Sequence, residues 1–140
     1  MNKFFKNFCL VMLTVALCIS TCIFSVGCEK EATNFEIAVT YPDGSVVKAS
    51  DGTGGMNGNT MYIQLCNSAD GKCYKNVELD ENGKVSIPIS DVITAIGEGT
   101  YKVYVVGAPN GYKDVLQDEN FSYGTISKDS ASLTIKLVTI

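Results

Sequence analysis

The run LDENGKVSIPISDVITAIGEGTYKVYVVGAPNGY, residues 79–112, contains two stretches in which apolar and polar side chains take turns. Val85, Ile87 and Ile89 alternate with Ser86 and Pro88, and Tyr101, Val103 and Val105 alternate with Lys102 and Tyr104. Successive side chains of an extended backbone point to opposite faces, so each stretch reads as a strand with one face buried. Asp80-Glu81-Asn82-Gly83 and Pro109-Asn110-Gly111 supply turn chemistry beside them. Outward along the chain the same period recurs: Phe35, Ile37, Val39 and Tyr41; Met61, Ile63 and Leu65; Leu133, Ile135 and Leu137. Pro42-Asp43-Gly44 and Asp70-Gly71 mark further turns. Six or seven short strands punctuated this way predict an all-β fold, a single antiparallel β-sandwich. The one helical candidate is Asp91–Ile96, capped by Ser90 or Asp91 and stopped by Gly97, and it is expected to make a single turn.

The chain has 140 residues, with no His, no Trp and no Arg, all 11 basic residues being Lys. Without imidazole there is no Ser-His-Asp or Cys-His nucleophile system and no HExxH zinc site, and without guanidinium there is no bidentate phosphate clamp. The net charge of −4 gives no basic stripe, which excludes nucleic acid as a partner.

The amino terminus reads as an export signal. Lys3 and Lys6 form a positive segment, Phe8–Phe24 is an uncharged run, and Ser25-Val26-Gly27-Cys28 closes it with small residues. A run of that length sits at the lower limit for a membrane span, which favours cleavage over a retained anchor. A small residue directly before Cys28 resembles the lipobox of bacterial lipoproteins, in which the Cys is diacylated and becomes the first mature residue; Ser25 stands where Leu is usual. The expected organisation is a signal peptide at 1–27, a lipidated Cys28 with a polar tether at 28–34, and a β-sandwich domain at 35–140. Plain secretion and a retained transmembrane anchor are the alternatives. Removing residues 1–27 takes away two lysines and no acid, so the exported domain is more acidic than the precursor. Two acyl chains hold a small protein durably at a bilayer, so the membrane is the expected first partner, on the extracytoplasmic face.

Cysteine usage agrees with export. Cys9, Cys18 and Cys22 lie in the signal and Cys28 takes the lipid, leaving Cys66 and Cys73 on either side of an Asp70-Gly71 turn. An intrachain disulfide on paired strands is expected; a free pair or a metal site are the other readings, and two thiolates without further ligands do not complete a tetrahedral zinc site. Neither metal nor cofactor is expected. Ser50–Thr60 (SDGTGGMNGNT) carries no GK[ST] and matches no EF-hand spacing, so it reads as a flexible exposed loop rather than a phosphate or calcium cradle.

LDENGKVSIPI, then GEGTYKVYVV, then GAPNGY resemble the prealbumin-like β-sandwich modules of bacterial surface proteins, above all the collagen-adhesin B-type repeat. In that family a strand, a T-D-E-N-G turn, a strand, a Gly-terminated loop, a Tyr-led strand and an A-P-x-G-Y motif follow one another; here the turn is Asp80–Gly83, the Gly is Gly99, the strand begins at Tyr101 and the last motif is Ala108–Tyr112. Cys66 and Cys73 match a cysteine-bearing variant of the module. The resemblance implies a non-enzymatic surface module. Many such modules form a Lys-to-Asn isopeptide bond with an acidic residue four positions before the Pro. That position is Val105 here, the first strand has no Lys and the last has no Asn, so the crosslink is expected to be absent; Lys136 and Glu36 alternate outward.

No arrangement of acids suggests catalysis, and the protein is expected not to be an enzyme. Tyr62, Tyr74 and Tyr104 fall opposite the aliphatic face and form a candidate ligand face for a sugar or a surface protein. Two other readings stand beside it: tyrosines that merely cover a sheet, and a domain that serves as a rigid spacer.

Overall fold

A computed structural model describes residues 32–115 and 118–140. The described residues form an all-β sandwich of seven strands and one α-helix: β1 (Asn34–Thr40), β2 (Tyr62–Asn67), β3 (Val77–Glu78), β4 (Lys84–Pro88), α1 (Ile89–Ile96), β5 (Tyr101–Val106), β6 (Gly124–Ile126) and β7 (Ser132–Lys136). One sheet has the order β4-β1-β7 and the other β3-β2-β5-β6. The expected signal peptide, the lipidated Cys28 and the first part of the tether lie outside the described residues.

Period-two alternation decides which face of each strand is covered. Phe35, Ile37 and Val39 of β1, Val85 and Ile87 of β4, and Ile135 of β7 point inward from the three-stranded sheet, and all are buried. They meet Ile63 and Leu65 of β2, Tyr101, Val103 and Val105 of β5, and Ile126 of β6. The Phe35 and Tyr101 rings touch edge to face at 5.6 Å across the two layers, which adds to the gain from area burial.

Two features depart from the antiparallel pattern read from the sequence. β1 and β7 run parallel, in register from Glu36↔Ser132 to Thr40↔Lys136, while β1 and β4 are antiparallel. A parallel pair needs a long crossover, and here every other strand of the sandwich lies between the two in sequence. The helix is also longer than one turn. It covers eight residues and begins at Ile89, which the alternation had placed in the strand. Pro88 is the capping residue, so neither Ser90 nor Asp91 caps the helix. Ile89, Val92 and Ile96 recur at helical spacing and are all buried, so the core-facing stripe outweighs local strand preference. Gly97 ends the helix as expected, at φ +84° with its N–H on the Ile93 carbonyl.

The ends of the sandwich differ. The described chain enters beside α1, where the Ile89 N–H donates to the Thr33 carbonyl at 3.0 Å. At the opposite end lie the Tyr41–Ser45 turn, a 3-10 turn at Ala49–Asp51, the Gly83 turn and the loop after β5. There β7 runs on into residues that hydrogen-bond to the segment after β5, Lys113 N–H to the Val138 carbonyl at 2.7 Å and Ile140 N–H to the Gly111 carbonyl at 3.0 Å.

Candidate functional site

Cys66 and Cys73 are bonded, as the hairpin reading expected. They oppose each other in an antiparallel bridge flanked by Asn67 N–H to Lys72 O and Tyr74 N–H to Leu65 O, both at 2.7 Å. That pattern makes them a non-hydrogen-bonded pair, the position where side chains approach most closely. The Asp70-Gly71 turn completes the loop, with Gly71 at φ +76° and the Lys72 N–H on the Asp70 carboxylate.

Tyr62 and Tyr104 share the outer face of the four-stranded sheet. The register Tyr62↔Val106 and Gln64↔Tyr104 makes them diagonal neighbours, with Gln64 beside them and Lys102 opposite Cys66. Tyr74 does not join them. From Cys66 back to Ile63 is three residues, whereas their partners Cys73 and Val77 are four apart, so one extra residue bulges the partner strand. The bulge reverses the alternation, places Tyr74 opposite Leu65, and packs it against the core. The sequence expectation for Tyr74 is thereby corrected: strict alternation through Lys75 and Val77 would have turned it outward.

The glycine-rich loop is likewise not free along its length. Thr53 N–H bonds the Gly107 carbonyl, Gly54 and Thr60 exchange backbone hydrogen bonds, and the Thr53 hydroxyl donates to Ala108 O at 2.8 Å. A Cβ on Gly55 would lie 3.2 Å from the Tyr62 hydroxyl, so this backbone runs against one side of the Tyr62 ring. Gly52 is buried in this loop, whereas Asp51, Thr53 and residues 55–59 are exposed, Met56 fully so.

The remaining open part of the face is a depression of about 210 Å³ lined by Gln64, Ser68, Lys102, Tyr104, Glu119 and the disulfide. It offers an aromatic edge, an amide, a cation and a carboxylate, a set that can hydrogen-bond hydroxyls while the ring contacts an apolar surface. A larger cavity of about 370 Å³ lies at the entry end, with Ile89, Ile93 and Tyr101 below and Glu98, Lys128 and Asp129 around its mouth. Lys128 Nζ stands 3.7 Å from Glu98 Oε1 across it, an exposed pair that contributes little to stability. The Tyr101 hydroxyl donates to the Gly97 carbonyl, and burial, followed by the Glu98 charge, raises its pKa.

Three polar groups that carry structure went unread in the sequence. Asn67 is buried, its Nδ2 donating to the Ile96 and Glu98 carbonyls and its Oδ1 accepting from Ala69 N–H. Buried Asp114 accepts from Ala108 N–H. The Tyr41 hydroxyl donates to Asp51 Oδ2 at 3.0 Å, which also accepts from Lys48 N–H, and the Tyr41 ring leans on Tyr112 at 5.5 Å. Desolvation, then the hydrogen bond and charge of Asp51, push Tyr41 up to about 12. An Asn at the end of a strand and a Tyr before a Pro-Asp-Gly turn are the available sequence signals, and both are common without such roles.

Glu36 and Lys136 are exposed, as their alternation implied, and Glu36 accepts from the Ser86 hydroxyl at 2.8 Å. Among the described residues no group of three or more His, Cys, Asp or Glu side chains is arranged to hold a metal. Nor is any described helix long and apolar enough to cross a membrane. No protein-family model matches the chain, and a search of curated proteins finds no match.

Proposed function

We propose that this chain is an exported bacterial lipoprotein, anchored through Cys28, whose β-sandwich acts without catalysis as a binding or structural module at the extracytoplasmic face of the membrane, similar to a collagen-adhesin B-type module. The Cys66–Cys73 bond carries the export reading, because such bonds persist in oxidising compartments and the cytosol reduces them. The signal-like segment ending in Gly27-Cys28 supports the anchor. Replacing Cys28 with Ala moves the protein from the membrane fraction to the medium while its disulfide still forms; undiminished membrane retention refutes anchoring through Cys28.

A second reading, an accessory lipoprotein that binds carbohydrate, rests on Tyr104, Gln64 and Lys102 surrounding one depression with Tyr62 on the same face. A glycan array and a peptidoglycan pull-down, repeated with Tyr62→Ala and Tyr104→Ala, test it. Because the glycine loop covers part of Tyr62, Tyr104→Ala is expected to weaken binding more. Binding that survives both substitutions removes this face from consideration.

A further inference from the structure

We infer that the cavity at the entry end of the sandwich binds a free α-amino acid with an apolar side chain; the site goes beyond the proposed surface-module reading and shares no residue with the candidate carbohydrate face. Its floor is apolar. Ile89 and Ile93 are four apart on α1 and so lie on one side of the helix, and Tyr101, the first residue of β5, joins them. The Tyr101 hydroxyl donates to the Gly97 carbonyl, so this residue brings its ring to the floor and no free donor. The rim is charged. Glu98 and Asp129 supply two carboxylates and Lys128 one ammonium, a formal excess of one negative charge above an apolar base.

Both walls are held in place by the fold. On one side, Asn67 Nδ2 donates to the Ile96 and Glu98 carbonyls, and Ser68 N–H donates to the Thr100 carbonyl at 2.9 Å, which ties the segment between α1 and β5 to the end of β2. On the other, Ser127 and Ser130 exchange backbone hydrogen bonds at 3.3 and 3.0 Å, which sets Lys128 and Asp129 at the tip of a two-residue turn. Pairing of Tyr101 with Ile126 fixes the spacing between the walls. A preformed site loses little freedom on binding, and about 370 Å³ falls within the range of small-molecule pockets, about 300–1,000 Å³. Charge selects the ligand. Lys128 Nζ and Glu98 Oε1 stand 3.7 Å apart and both side chains are exposed, so their pairing is weak and easily exchanged. A simple cation would face Lys128 and a simple anion would face two carboxylates. A zwitterion meets both signs: its ammonium lies against Glu98 and Asp129 and its carboxylate against Lys128. The two charges of an α-amino acid share one carbon, which suits groups this close, and its side chain then reaches the isoleucine floor.

Titration of L-leucine into the full-length chain, held in nanodiscs of phosphatidylglycerol so that the lipid brings no ammonium group, tests the site by calorimetry and amide NMR. Leucine is expected to bind and to shift amides within 89–101 and 126–130. Isocaproate, which is leucine without its ammonium, and glycine, which lacks the apolar side chain, should each bind about tenfold more weakly or worse, the loss expected for one charge-assisted hydrogen bond or one buried side chain. Glu98→Gln should weaken leucine binding by about tenfold and leave Tm unchanged, because the exposed pair it breaks contributes little. Lys128→Gln should weaken leucine but spare isopentylamine, which keeps the side chain and ammonium and has no carboxylate. Glu78→Gln makes the same charge change on β3, away from the cavity, and should leave binding as it was. No binding of leucine up to about 10 mM, weaker than the affinity of even a poor small-molecule complex, overturns the assignment. So does equal binding of isocaproate, or binding that survives both Glu98→Gln and Lys128→Gln.

Discussion

Replacing Asn67 with Ala removes one side chain that serves three backbone groups. Its Nδ2 donates to the Ile96 carbonyl at 3.0 Å and to the Glu98 carbonyl at 3.3 Å, and its Oδ1 accepts from the Ala69 N–H at 2.9 Å. Only 5% of Asn67 is exposed, so water does not simply take its place. Losing a partner at a buried carbonyl costs about 1–3 kcal/mol, and the local cap at Ala69 adds about 1 kcal/mol. The expected loss is therefore about 2–4 kcal/mol from a total that for ordinary domains is about 5–15 kcal/mol. For a domain of this size that lowers Tm by roughly 10–20 °C. Urea and thermal unfolding followed by circular dichroism, with the disulfide kept oxidised, read it directly. Asn67→Asp keeps the acceptor for Ala69 but sets a carboxylate against two carbonyl oxygens, so it should cost as much or more. A loss below about 0.5 kcal/mol for Asn67→Ala, the level of an ordinary surface change, would refute the claim that this amide ties the end of α1 to β2.

Gly107→Ala should destabilise by about 2–4 kcal/mol, combining left-handed backbone strain with overpacking, because φ is +75° and the new Cβ would lie 2.6 Å from Gly54 N. Gly44→Ala at φ +89° meets nothing within 4 Å and should cost only about 1 kcal/mol, the backbone part alone; equal losses at the two sites would contradict the close approach of the loops. The Tyr41 hydroxyl holds its proton more tightly folded, at about 12, than at its ordinary 10.0. Its contribution is thus complete below pH 10 and lost as pH rises toward 12. Tyr41→Phe should flatten stability across that window, and an unchanged alkaline slope would count against the assignment. Cys66→Ser with Cys73→Ser should cost about 2 kcal/mol by the chain-entropy account of a short loop, measured as a lower urea midpoint; an unchanged midpoint would contradict it.

The core was legible because alternation alone assigns Phe35, Ile37, Val39, Ile63, Leu65, Val103 and Ile135 to one face, and each is buried. Alternation is blind to what interrupts it. The extra residue that turns Tyr74 inward belongs to a pairing register, which depends on which strand lies alongside. Ile89 continues the period of Val85 and Ile87, yet it also starts the stripe of Val92 and Ile96, and packing decided for the helix. Direction was hidden too, since nothing local distinguishes a parallel β1–β7 pair from an antiparallel one. Of the candidate face, the outward setting of Tyr62 with Gln64 and of Tyr104 with Lys102 follows from spacing, whereas the register that sets the two pairs side by side and the loop against Tyr62 come only from long-range pairing.

The pairing of the first strand with the last also sets an order of events. Thr40 and Ile135 are 95 residues apart, so one flank of β1 has no partner until nearly all of the chain is present. Contacts so distant in sequence slow folding and leave an apolar strand edge open while they form. A chain that crosses a membrane amino terminus first would therefore hold β1 against β4 alone until its final strand emerged, and the sandwich would close only then.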